Sequence, residues 1–159
     1  MSRKGPTKLR KLLPDTLYNS ILVSRIINRS IKDGKKEPAT KQIYHALELI
    51  KKELKQDPLV ALEQALENIK PKIEVRPRRI GGAVYQVPTP IRSHRQNSLA
   101  IRWLINFSRK KPNKQYHTFA EKIATEIIDA YNKEGACMTK RSEVERMAEA
   151  NKAFAHLRW

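Results

Sequence analysis

The residues with the clearest chemical purpose are arginines and lysines. Between Val75 and Ala120 the chain carries Arg76, Arg78, Arg79, Arg92, Arg95, Arg102, Arg109, Lys110, Lys111 and Lys114, and no Asp or Glu. An even spread of the chain's 16 acids would have left several in this interval. Other basic clusters accompany it: Arg3, Lys4, Lys8, Arg10 and Lys11 near the start, Lys35-Lys36, and Lys140-Arg141. A guanidinium is a planar fork that bonds two phosphate oxygens at once and stacks on a base. Each cluster alone is ordinary solvated surface; together they predict a broad face for a polyanion, with steeply salt-dependent binding.

Bond-making chemistry finds little support. His45, His94, His117 and His156 are scattered, and no HExxH pattern occurs. One cysteine, Cys137, cannot build a CxxC zinc site and has no neighbouring base in sequence. Gly34-Lys35-Lys36 lacks the upstream glycine and the Ser/Thr of a phosphate-binding loop. Glu63 and Glu67 are neighbours on one helix face and read as its solvated edge. The expectation is a protein that is not an enzyme and uses no metal or cofactor.

Composition narrows the partner. The 159 residues suit one domain with a real core, at 40% hydrophobic residues and only 5 glycines. A net charge of +17 favours RNA, DNA or an anionic membrane. The membrane is disfavoured, because no apolar run approaches a bilayer-spanning length. The single cysteine suits a reducing compartment, and no secretory signal is visible.

The elements that must position these charges follow from periodicity and caps. Residues 1–14 read as a basic arm. Asp15-Thr16 caps a first helix carrying Leu17, Ile21, Leu22, Ile26, Ile27 and Ile31, ended by Gly34. A second runs from about Pro38 to Lys55, with Ile43, Leu47, Ile50 and Leu54 inward. Asp57-Pro58 is an N-cap with proline at the first helical position, opening a third helix to about Lys70. Residues 72–88 then read as a hairpin turning at Gly81-Gly82, with Pro77 restricting the first strand to an edge. Such an arm must lean on the body or be fixed by its ligand. A fourth helix runs from residues 96–98 to Lys111, with Trp103 and Phe107 toward the core. Thr118-Phe-Ala-Glu121 is a capping box for a fifth, which Gly135 closes, and Ser142-x-x-Glu145 caps a sixth. Tyr85 could stack on a base, but a strand tyrosine more often packs on its own sheet. Trp159 either docks on a partner or packs back on the body.

The expected class is therefore mainly α: a single domain of about six helices, one protruding β-hairpin and basic terminal extensions. The arm occupies residues 1–14, the helical domain 15–159, and the tail begins at about 150. A DNA-binding alternative, using helices two and three as a helix-turn-helix, is disfavoured. Those helices carry Glu48, Glu53, Asp57, Glu63 and Glu67, which suit a phosphate backbone badly, so no DNA partner is expected.

Several stretches match a known family in order along essentially the whole chain. Leu66-Glu-Asn-Ile-Lys-Pro71 and Glu74-Val-Arg-Pro-Arg-Arg-Ile-Gly-Gly-Ala-Val-Tyr-Gln-Val-Pro88 closely resemble the signature of bacterial-type small-subunit ribosomal protein seven. Asp33-Gly-Lys-Lys36, Leu99-Ala-Ile-Arg-Trp103 and the run from Met147 to Trp159 extend the match. The resemblance implies a helical domain with a protruding hairpin and a scaffolding role. It implies binding to the 3′ major domain of small-subunit rRNA and nucleation of the subunit head. It also implies neighbouring ribosomal proteins, the eleventh among them, and a place near exit-site tRNA and mRNA. Carried onto this chain, the N-terminal basics, Lys35, Lys36 and the Arg92–Arg102 region would hold rRNA. Arg78, Arg79, Gly81, Gly82 and Tyr85 would form the arm. Lys114-Gln-Tyr-His-Thr-Phe-Ala-Glu121 is longer than in typical bacterial members and resembles mitochondrial versions; Met-Ser-Arg-Lys-Gly resembles plastid ones. An organellar ribosome is expected on that ground, mitochondrial before plastid.

Overall fold

The computed structural model describes Gly5 and residues 12–158. The expected basic groups Arg3, Lys4, Lys8, Arg10 and Lys11, and also Trp159, lie outside the described residues. The described chain runs α1 (Ile21–Ser30), α2 (Lys36–Leu54), α3 (Pro58–Ile69), β1 (Ile73–Ile80), β2 (Ala83–Pro90), α4 (Ser93–Lys110), α5 (Phe119–Tyr131) and α6 (Gly135–Ala150). A 3-10 helix, Lys152–Leu157, follows.

The core is built by the apolar stripes. Val23, Ile26 and Ile27 of α1, Ile43, Leu47 and Ile50 of α2, and Leu62, Leu66 and Ile69 of α3 are all buried. Ile101, Leu104 and Ile105 of α4 and Ile123 and Ile127 of α5 complete it. Helix α5 is central, packing on α2, α3, α4 and α6. Trp103 and Phe107 are partly buried against this cluster. At its start the expected capping box is complete: Thr118 Oγ1 accepts from Glu121 N–H at 3.2 Å, and Glu121 Oε2 accepts from Thr118 N–H at 3.4 Å and also from His117 N–H at 2.9 Å. The bond from the His117 amide holds the Glu121 carboxyl below its ordinary range. That cap is therefore fully formed above the ordinary carboxylate range and weakens as pH falls through the depressed value. Replacing Thr118 by alanine should lower stability by about 1 kcal/mol, read from urea midpoints at unchanged m. An unchanged midpoint would show that the box adds nothing here.

Three boundaries differ from the sequence expectation. Helix α1 begins at Ile21, not after Asp15. Asp15 instead accepts from the Leu17 and Tyr18 amides and from Tyr44 Oη, pinning a turn, and Leu17 is exposed. Gly135 does not close α5; it opens α6, at φ +86. A Cβ there would lie 2.9 Å from Asp129 Cβ, so the close approach of the two helices requires glycine. Ser142 is consequently an interior residue of α6 rather than its cap.

The hairpin pairs antiparallel from Ile73–Pro90 to Ile80–Ala83. Gly81 and Gly82 take φ of +55 and +89, as a two-residue turn demands. Pro77 is tolerated because the sheet has only two strands, so each is an edge. The base is buried at Val87, Pro88 and Thr89 while the tip is exposed. The arm does lean on the body: α6 packs on β1, and the 3-10 helix packs on β2.

Candidate nucleic-acid interface

The chain's cations fall into two groups once their partners are known. Several lysines and arginines on or beside the helices that carry acids are paired, although Lys36, Lys51 and Lys52 of α2 are exposed with no carboxylate partner among the described residues. Lys41 pairs with Glu37, Lys70 with Glu67, Lys140 with Glu143 and Arg141 with Glu145. Arg141 also donates to the Asn68 carbonyl at 2.6 Å, fastening α6 to α3. By contrast α1 and α4 contain no Asp or Glu, and they pack on each other. Their cations Arg25, Arg29 and Arg102, with Arg92 capping α4, have no carboxylate partner among the described residues. Lys35 and Lys36 are exposed where α2 begins, beside Asp33 in the connecting loop. Lys110 is exposed at the end of α4, its ammonium 5.5 Å from the Phe107 ring centroid. Arg109 Nη2 donates to the Ser30 carbonyl at 3.0 Å, so it also ties the ends of the two acid-free helices together.

Not every expected contact residue is available. Lys111 is only 15% exposed; its ammonium lies 2.9 Å from Asp129 Oδ2 and 3.2 Å from Glu126 Oε2. It neutralises carboxylates inside the body and is removed from the expected face. Arg76 and Arg95 both pair with Glu74, a buried residue one position before the acid-free interval. This triad joins β1 to α4 and leaves both arginines half-exposed, so each keeps a free side toward solvent. Lys140 and Arg141 are tied to α6 acids and serve chiefly as helix staples. Lys114 is exposed in the loop before α5. On the arm, Arg79 is exposed near the turn and Arg78 is partly buried. Tyr85 is not at the tip: it faces Arg78 in the register and its ring meets Phe154 at 5.4 Å. Its ring thus packs on the 3-10 helix and not on its own sheet.

Arg25 and Arg29 were not among the expected contacts, although they stand one turn apart on a helix with no acid. Glu126, fully buried, was also missed; its Oε1 accepts from the Cys137 amide at 3.1 Å. Burial, reinforced by Glu126, pushes the Cys137 thiol well above its ordinary value, which makes it inert. Among the described residues no group of His, Cys, Asp and Glu could hold a metal, and no described helix is long and apolar enough to cross a membrane.

Two acid-free helices bearing arginines with no carboxylate partner among the described residues, beside a projecting basic hairpin, form a strongly basic surface. The model of the family described as ribosomal protein S7p/S5e matches residues 2–152. The chain belongs to the ribosomal protein S7p/S5e family. Relatives named small ribosomal subunit protein uS7 match over all 159 residues and over the whole of each relative. They are 52% identical in Thermodesulfovibrio yellowstonii, 50% in Dictyoglomus thermophilum and 47% in Sulfurihydrogenibium. These S7p/S5e members are bacterial, and their alignments take in residues 112–119. The organellar assignment, mitochondrial or plastid, draws no support from them.

Proposed function

We propose that this S7p/S5e member is a structural, non-enzymatic constituent of the small ribosomal subunit that binds rRNA through the α1–α4 face. The observation that carries this reading is that Arg25, Arg29 and Arg102, which have no carboxylate partner among the described residues, stand on two helices that contain no Asp or Glu and pack on each other. Scaffolding needs little else, since phosphate contacts fix an RNA fold while shape decides the fit. The finer assignment is that the RNA is the 3′ major domain and that binding nucleates the head. The exposed turn at Gly81-Gly82 with Arg79 then reaches toward exit-site tRNA and mRNA. The groove beneath the hairpin, about 520 Å³, mixes Ile73, Pro88 and Pro90 with Glu145 and Glu149. Lys72, Arg141, Lys152 and Arg158 line it as well, so apolar groups sit among charges of both signs; such a mixed surface suits a protein neighbour, and the eleventh small-subunit protein is the neighbour proposed.

The test is binding of the full chain to small-subunit rRNA fragments across a salt series, with duplex DNA as competitor. Saturable binding to a 3′ major-domain fragment that survives excess DNA supports the reading. Equal affinity for every polyanion would defeat its specificity. Changing Arg78 and Arg79 together to alanine should leave fragment affinity within about threefold, because the body supplies most phosphate contacts. Subunits carrying this variant should assemble yet show altered exit-site tRNA retention. Failure to enter subunits would show that the arm, and not the body, holds the rRNA.

A further inference from the structure

The α1–α4 face is not flat. Between the two helices lies a groove of about 320 Å³, with Leu12 and Ile101 supplying apolar surface and Arg25 and Arg29 standing along α1. His94 and Ser98 line it from the first turns of α4, and Asn28 from α1. A surface that only rides on a duplex backbone needs cations but gains nothing from an apolar floor. A free inorganic anion would also leave that floor unused. The combination fits a flat apolar body bearing one negative group and polar edges.

We propose that this groove is a slot for one unstacked nucleotide of the bound RNA. The base lies over Leu12 and Ile101, and its phosphate sits between Arg25 and Arg29. Asn28 and Ser98 offer a donor and an acceptor to the base edge. Single-stranded bases in loops and bulges are the ones free to be splayed out and stacked on apolar or guanidinium surfaces. The positive end of α4 adds to the attraction for the phosphate. No acidic residue lines the groove to oppose it. The inference rests on the α1–α4 face being the rRNA interface, and it goes beyond that reading by assigning a ligand of defined size and chemistry to defined residues.

The probe is the 3′ major-domain rRNA fragment with the full chain. Ser98→Phe fills the groove from an exposed helix position and leaves every cation in place. It should weaken binding about tenfold, the worth of one stacked base, with an unchanged salt slope. Arg25→Gln with Arg29→Gln should instead lower the salt slope by about two. Chemical probing should show one unpaired nucleotide protected by the natural chain and exposed with Ser98→Phe. An abasic site at that nucleotide should cost the natural chain the same tenfold, a measurement independent of how any variant folds. If the arginine pair loses affinity while Ser98→Phe and the abasic RNA bind normally, the slot is refuted and the interface stands. If neither the arginine pair nor Ser98→Phe changes binding, the slot falls together with the placement of the interface on α1–α4.

Discussion

Replacing Lys111 by methionine is expected to cost about 3–5 kcal/mol of folding stability, the usual result of stranding a buried charge. Methionine keeps the length and apolar stem of lysine, so the loss isolates the ammonium. That ammonium lies 3.2 Å from Glu126 Oε2 and 2.9 Å from Asp129 Oδ2, both on α5. Glu126 is 1% exposed, so water cannot take over the role of the lysine. The site reaches further through the backbone. Lys122 Nζ donates to the Lys111 carbonyl at 2.8 Å and to Asn113, holding the loop that leads from α4 into α5. Glu126 Oε1 meanwhile receives the Cys137 amide near the start of α6. Removing the ammonium thus frees α4, α5 and α6 from a common clamp. Urea unfolding followed by Trp103 fluorescence would measure it. The companion Lys111→Met with Glu126→Gln removes both charges and should recover much of the loss, because an absent pair is far cheaper than half a pair. A Lys111→Met variant as stable as the natural chain would return Lys111 to the list of surface cations free for RNA.

Lys111 also shows where a sequence stops being legible. Local signals carried well: the Thr118 box, the Asp57 cap with its bond to the Leu59 amide, and the paired glycines of the hairpin turn are each complete within a few residues. Charge did not carry as well, because an ion pair is a matter of space. The interval from Val75 to Ala120 contains no acid, yet Glu74 lies one residue outside it and takes Arg76 and Arg95. Glu126 and Asp129 lie just beyond its other end and take Lys111. Counting along the chain makes these cations look free; folding returns acids from both flanks. The same blindness hid Arg25 and Arg29, whose isolation from acids depends on which helices become neighbours. Gly135 misleads for a different reason. A positive φ suits both the end of one helix and the beginning of the next, and only its approach to Asp129 decides between them.

The largest functional effect should come from removing cations from one end of the molecule and not the other. Changing Lys35, Lys36, Arg102 and Lys110 together to glutamine should weaken binding to the rRNA fragment by about a hundredfold or more, and flatten the salt slope by about three to four. The matched control changes Lys51, Lys52, Lys55 and Lys133 to glutamine and lowers the net charge of +17 by the same four units. These four sit at the far end of α2, where Tyr131 Oη meets Gln56 at 3.3 Å, whereas Lys35 and Lys36 mark its beginning. A helix of 19 residues is about 28 Å long, several screening lengths at physiological salt. Charge at the control end therefore acts only weakly on RNA held near Lys35 and Lys36, and its loss should cost no more than about threefold. Comparable losses in the two variants would mean that the chain binds as a diffuse cation and that the position of its unpaired cations has no bearing on where RNA sits. A loss confined to the first variant ties affinity to α4 and the adjoining start of α2. All eight positions are exposed, so melting temperatures should stay close to that of the natural chain and a change in affinity can be read as a change in contact.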